Sequence, residues 1–210
     1  MSFYKNSLKY LAIFGLFGAL SACVVPEQYE ADLSIYGDEL SVEFEGTLKE
    51  LVSVMNSGGR PIAPDDPQLQ QLLSELVADF EKQPGYTSVQ ITDTNRIYVK
   101  LSDTREISDI GYIYGLPATQ RPRSKDNFLR IQHLSDGEIL ITSSKFKAKD
   151  LAALLGSDYD PDGVISISTD HEVLEHNADE TPGLFSNAYV WNIDSEDALL
   201  KGVKMRLKMN

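Results

Sequence analysis

The chain has 210 residues, a formal net charge of −13 at pH 7, an apolar fraction of 42% and one cysteine. That length suits one domain able to bury its own core, and the apolar fraction excludes global disorder. The acidic balance argues against nucleic acid, because a negative surface repels a phosphate backbone. It argues equally against general electrostatic adhesion to anionic lipid.

Residues 1–10, MSFYKNSLKY, carry two lysines and no acid; residues 11–20, LAIFGLFGAL, carry no charge; Leu20–Cys23 then reads LSAC. A positive start, a short apolar run and a zone of small residues make a secretory signal peptide. Ten residues rise only about 15 Å as a helix against a bilayer core of about 30 Å, so a lasting membrane span is the weaker reading. The residues LSAC resemble the lipobox of bacterial lipoproteins. That resemblance implies cleavage before Cys23, acylation of Cys23 and attachment to a membrane of the cell envelope through it. Val24 stands where an aspartate favours inner-membrane retention in enteric-type lipoproteins, which implies the outer membrane over the inner. One acyl chain binds a bilayer marginally, whereas the two or three of a lipoprotein hold it lastingly. With Cys23 spent on the anchor, no thiol remains for a disulfide, a nucleophile or a metal. The organisation expected is a signal peptide at 1–22, a lipidated cysteine with a short tether at 23–28, and a single α+β domain at 29–210.

Alternation of apolar and polar residues in ADLSIYGDELSVEFEG, Ala31–Gly46, predicts a hairpin about Gly37-Asp38. Thr47 and Glu50 form a T-x-x-E capping box that predicts a helix with Leu48, Leu51, Val52 and Met55 inward, stopped by Gly58-Gly59. A second helix is expected after Asp66-Pro67, with Leu69, Leu72, Leu73, Leu76, Val77 and Phe80 as its apolar stripe. Strands follow around Val89–Ile91, Ile97–Leu101 and EISDIGYIYG, Glu106–Gly115, then a hairpin about Asp136-Gly137. Lys147–Gly156 reads as a third, short helix. Three more strands are VISIST, AYVWNI and VKMRLKM. In the last, Val203, Met205, Leu207 and Met209 share one face and Lys204, Arg206 and Lys208 the other, so its sheet should be antiparallel and solvated on one side. Runs of strands and helices in this order predict an α+β fold with a mostly antiparallel sheet and about three helices, two of them consecutive near the start of the domain.

Three pieces resemble the LppM-like envelope lipoprotein domain: Cys23 of the lipobox, the hairpin ADLSIYGDELSVEFEGTL, and the block from GVISISTDHEVLEHNADETPG through YVWNID to MRLKM. The resemblance implies an α+β lipoprotein domain of poorly defined biochemistry and offers no catalytic residues. Within the block, Tyr189, Trp191 and Ile193 alternate on a strand face and should fill the core, and Asn177 suits a left-handed turn.

Asp158, Asp160 and Asp162 before Gly163 give D-x-D-x-D-G, the opening half of a calcium loop. Thr169 stands where such a loop needs a bidentate glutamate, so the choice lies between a weak structural calcium site and a solvated acidic turn; no other cofactor is expected. His171 and His176 are five apart, a spacing that fits neither a zincin helix nor one strand face. His133 shares strand parity with Leu129 and Ile131, which suits a satisfied core histidine. Seven basic and three acidic residues lie between Arg121 and Lys149. Beside them, Tyr112, Tyr114, Leu116, Arg121 and Arg123 make a candidate ligand- or membrane-contact loop. No G-x-S-x-G, P-loop, dinucleotide fingerprint or kinase motif occurs. The function expected is a non-catalytic membrane-anchored module for a lipid, a glycolipid or an envelope protein; the alternative is an envelope hydrolase with a carboxylate or Ser/His site.

Overall fold

The alternation of the opening hairpin sets the first sheet. In the computed structural model, which describes residues 24–51, 63–110, 113–116, 128–134, 137–143, 148–156, 158–184 and 186–209, β1 (Val24–Tyr36) and β2 (Glu39–Glu50) pair antiparallel about Gly37-Asp38. Gly37 has φ 53°, a conformation that glycine adopts without a Cβ clash. β1 starts at Val24 rather than near Tyr29, so residues 24–28 are strand instead of tether. β2 likewise runs on through Thr47–Glu50, where the capping box predicts a helix. The reason is pairing on both sides. Leu48 lies opposite Pro26 on one strand and Ile97 on the other, and two ladders outweigh a local cap. Met55 and Gly58-Gly59 lie outside the described residues.

β3 (Tyr86–Asp93) and β4 (Arg96–Glu106) complete one edge of this sheet; β8 (Asp162–Thr169) and β10 (Ala188–Ile193) complete the other, in the order β10-β8-β1-β2-β4-β3. The β1–β8 pair is parallel and the rest antiparallel. The second sheet is antiparallel throughout, in the order β5 (Ile113–Leu116), β6 (Leu129–His133), β7 (Glu138–Ser143), β11 (Lys204–Lys208), β9 (Glu172–His176). The strand expected across Glu106–Gly115 is divided: Ile107–Asp109 is a 3-10 turn and the strand begins at Ile113.

Helix α1 (Pro67–Glu81) is capped by Asp66, which accepts from the amides of Gln68 and Leu69, and it buries Leu69, Leu73 and Phe80. Helix α2 (Ala148–Leu155) buries Leu151 and Leu154. A short α3 (Glu196–Lys201), capped by Ser195, is not signalled by any long apolar stripe. The fold is therefore mostly β with antiparallel sheets. The first of the two expected consecutive helices does not begin at Thr47, because Thr47–Glu50 belongs to β2; residues 52–62 lie outside the described residues.

The inner faces of both sheets join one core, Ile35, Phe44, Val99 and Ile167 from the first and Ile131, Ile141, Met205 and Leu207 from the second. Trp191 and Ile193 are buried, as their alternation predicts, and Tyr189 is half-buried. Asn177 does not take the left-handed conformation; Asp158 is the non-glycine residue with positive φ among those described. Instead the Asn177 Oδ1 accepts from Trp191 Nε1 and from the Lys204 amide, each at 2.8 Å, and its Nδ2 donates to the Gly202 carbonyl at 2.9 Å. One amide thus ties β10 of the first sheet to β11 of the second.

Tyr29 needs two glycines. It lies opposite Gly46 on β2 and Gly163 on β8. A Cβ on Gly163 would stand 2.2 Å from Tyr29 Cζ, and one on Gly46 would stand 2.4 Å from Tyr29 Cβ. The ring stacks on Phe44 at 5.8 Å and meets the edge of Phe128 at 5.0 Å. Gly163→Ala should cost about 1–3 kcal/mol in urea denaturation through overpacking. A Tyr29→Ala/Gly163→Ala double variant should be no less stable than Tyr29→Ala alone.

Candidate functional site

Two features of the first sheet gather its chemistry: an ion cluster where β1 begins, and the outer sheet face that leads away from it. The cluster starts from a bulge. The β1–β2 register shifts between Pro26 and Gln28, so Pro26 and Glu27 are buried in succession and the alternation resumes with Gln28 exposed. Glu27 is 3% exposed and Lys49 is 1% exposed, so both charges must be compensated from within. Arg96, the first residue of β4, donates to Glu27 through Nε at 2.5 Å and Nη2 at 3.1 Å, a bidentate pair. Lys49 Nζ stands 3.7 Å from Glu27 Oε1, and the Asp160 amide donates to the same oxygen at 3.1 Å.

Asp158, with φ 61°, turns its carbonyl toward both cations, accepting from Lys49 Nζ and from Arg96 Nη2 at 2.9 Å. Its carboxylate adds a contact to Arg96 at 3.2 Å, and the Tyr159 hydroxyl donates to the Pro26 carbonyl at 2.7 Å. The Glu27 hydrogen bonds raise the pKa of the Arg96 guanidinium. Burial lowers that of Lys49 against the pull of Glu27, and burial with the Glu27 carboxylate raises that of the Tyr159 phenol. Both Glu27 oxygens are engaged, and the cluster joins β1, β2, β4 and the approach to β8.

The three aspartates of the D-x-D-x-D-G pattern have separate duties: Asp158 faces Arg96, Asp160 lends its amide to Glu27, and Asp162 opens β8 opposite Gln28. Among the described residues no group of three or more His, Cys, Asp or Glu side chains is placed to hold a metal. The histidines bond to the main chain: His133 Nε2 to the Ile107 carbonyl at 3.1 Å, His171 Nε2 to the Gly37 carbonyl at 2.8 Å, and His176 Nδ1 to the Ala178 amide at 3.2 Å. Cys23, Tyr112, Arg121 and Arg123 lie outside the described residues; Tyr114 and Leu116 fall in β5. No helix among the described residues is long and apolar enough to cross a membrane.

The outer face of the first sheet is acidic in an unusual way. Glu30 lies directly opposite Glu45, Asp32 opposite Glu43, and Glu39 opposite Glu106. Like charges in directly opposed positions destabilise a sheet. Glu45 is compensated by Tyr98 at 2.5 Å and Lys100 at 2.8 Å, which lower its pKa, and Glu43 accepts from Ser102 at 2.6 Å. Serine and threonine rungs continue the face, Ser34 to Ser168 and Ser41 to Thr104, each at 3.1 Å. At the Cys23 end a depression of about 410 Å³ is lined by Gln28, Tyr29, Glu30, Glu45, Asp162 and Val164. Sequence reading missed this face because the pairing of β1 with β2 reveals two of the opposed pairs only once the register is fixed, and the third needs β4.

No family model matches the sequence, and no curated protein matches it. Among solved structures, the chain is similar to the folded domain of LppM from Mycobacterium tuberculosis, solved by NMR, at 13% identity and TM-score 0.44, over 88% of this chain and 92% of that one. It is also similar to native yeast LTA4 hydrolase at 12% identity and TM-score 0.29, over 88% of this chain and 28% of that one.

Glu27→Ala strands two buried or half-buried cations and should cost about 3–5 kcal/mol in chemical denaturation. Asp32→Asn relieves one opposed pair and should stabilise by about 0.2–1 kcal/mol at low salt, a gain that shrinks as salt is added.

Proposed function

We propose that the chain is a membrane-anchored lipoprotein of a bacterial envelope whose folded part acts by binding rather than by catalysis. The observation that carries this reading is the junction at Cys23. The LSAC sequence ends immediately before Val24, and Val24 is already the first residue of β1, at the centre of the first sheet. Acyl chains on Cys23 would therefore hold the ion-cluster end of that sheet against the bilayer without a linker. Val24 after the cysteine favours the outer membrane. The binding role is supported by the condition of the ionisable groups: Glu27, Lys49 and Arg96 are committed to one another, and the three histidines to main-chain atoms. Its ligand is a lipid, a glycolipid or an envelope protein.

Metabolic labelling with an alkyne fatty acid in a Gram-negative host tests the anchor. The native chain should take up label, lose residues 1–22 and partition into detergent. Cys23→Ser should stay unlabelled and keep its leader. A native chain without label overturns the reading.

A further inference from the structure

We propose that the outer face of the second sheet carries a binding site for a phosphate group, built from Arg130, Thr142 and Lys204. Arg130 makes no hydrogen bond or ion pair with any described residue, and its Nε is buried without an acceptor. Arg206 Nε is also buried without an acceptor, and its Nη1 stands 3.5 Å from Glu138 Oε2. Buried donors without acceptors are rare and costly, so two on one sheet face call for a group that the folded chain does not supply. Water would satisfy an N–H and leave the charge uncompensated. Arg130 belongs to the stretch Arg121–Lys149, where seven basic residues outnumber three acidic ones in an otherwise acidic chain.

Strand register sets the geometry. Arg130 lies opposite Gly115 on one side and Thr142 on the other, and Thr142 lies opposite Lys204. These three side chains project from the outer face, because Leu129, Ile131, Ile141 and Met205 beside them are buried in the core. Neighbouring strands stand about 4.8 Å apart, so two cations flank one hydroxyl within about 10 Å. No acidic residue lies on this rung, and Gly115 sets no side chain against Arg130. Arg206, two residues along β11 from Lys204, shares the face. Lys204 pairs with Glu175, but both are about half exposed, and such pairs contribute little, so Lys204 can turn to a stronger anion. Cations on two sides and a hydroxyl between them suit a tetrahedral phosphate, whose oxygens diverge, better than a planar carboxylate. Carboxylates of a second copy of this chain are therefore the poorer occupant. One phosphate held at one rung is distinct from adhesion of the whole surface to anionic lipid, which the net charge opposes.

The site deepens the binding-module reading by naming the charged group of a lipid or glycolipid ligand, and it rests on that reading. It does not depend on acylation of Cys23, so the labelling experiment and the following one fail separately. The full chain, nitrogen-15 labelled in maltoside detergent, is titrated with inorganic phosphate, with short-chain phosphatidylglycerol and with acetate, and its amide shifts are followed by NMR. Both phosphate probes should shift the Arg130, Thr142 and Lys204 amides saturably, the lipid at lower concentration, and acetate should not. Arg130→Gln should weaken lipid binding about tenfold or more. It should melt like the native chain, because Arg130 has no partner in the fold to lose. Thr142→Val removes a donor without changing the charge and should weaken binding at the same amides. Lys82→Gln, at an exposed position on α1, removes one positive charge away from the face and should bind within about twofold of native. Inorganic phosphate binding as tightly as the lipid keeps the site and overturns the lipid source. Equal shifts with acetate, equal weakening by Arg130→Gln and Lys82→Gln, or no saturable shift with either phosphate probe overturns the proposal. Self-association that Arg130→Gln abolishes overturns it as well, because a second copy then fills the site.

Discussion

The buried carboxylate of Glu27 is the interaction on which the first sheet depends. It lies buried at a bulge in β1, and there it collects Arg96 from β4, Lys49 from β2 and the Asp160 amide from the approach to β8. A charge so placed is costly alone and tolerable only when every partner is present. The strands that supply those partners are far apart in sequence, so the cluster forms when the sheet is complete. It also fixes the end of the sheet at which the chain enters, next to Cys23.

The same sheet is asymmetric across its thickness. Its inner face is closed by aromatic and aliphatic packing so tight that Tyr29 requires glycine on both neighbouring strands. Its outer face holds carboxylates against carboxylates. The inner face has a purely structural account. The outer face sets like charges against each other, a cost that Tyr98, Lys100 and Ser102 offset in part. The net charge of −13 is therefore not spread evenly.

The second sheet has the opposite character. Along β11 the cations Lys204 and Arg206 are neutralised within the sheet by Glu175 and Glu138, and Asn177 carries the link to Trp191 across the core. A turn residue by its local propensity becomes a clamp by its position. Trp191 needs an acceptor for its indole N–H once buried, and the Asn177 amide is the group within reach.

Local pattern determined much of this protein. Period-2 alternation specified the hairpin of β1 and β2 and the inward set of β11, and helical spacing with Asp66-Pro67 specified α1, because each signal lies within one element and its burial follows from parity. The lipobox resemblance at LSAC is likewise a local reading, and it is the basis for the anchor we propose. Tertiary structure decided the rest. Thr47–Glu50 entered a strand since β1 and β4 offered ladders on both sides. Asp158 faces Arg96, the Asp160 amide serves Glu27, and Asp162 opens β8. Glu27, Lys49 and Arg96 could not be read as one cluster from positions so far apart. The turn at Gly37-Asp38 sets the register that opposes Glu30 to Glu45 and Asp32 to Glu43, but only the assembled sheet, by placing β4 beside β2, opposes Glu39 to Glu106, because pairing between strands distant in sequence is not a property of any one segment.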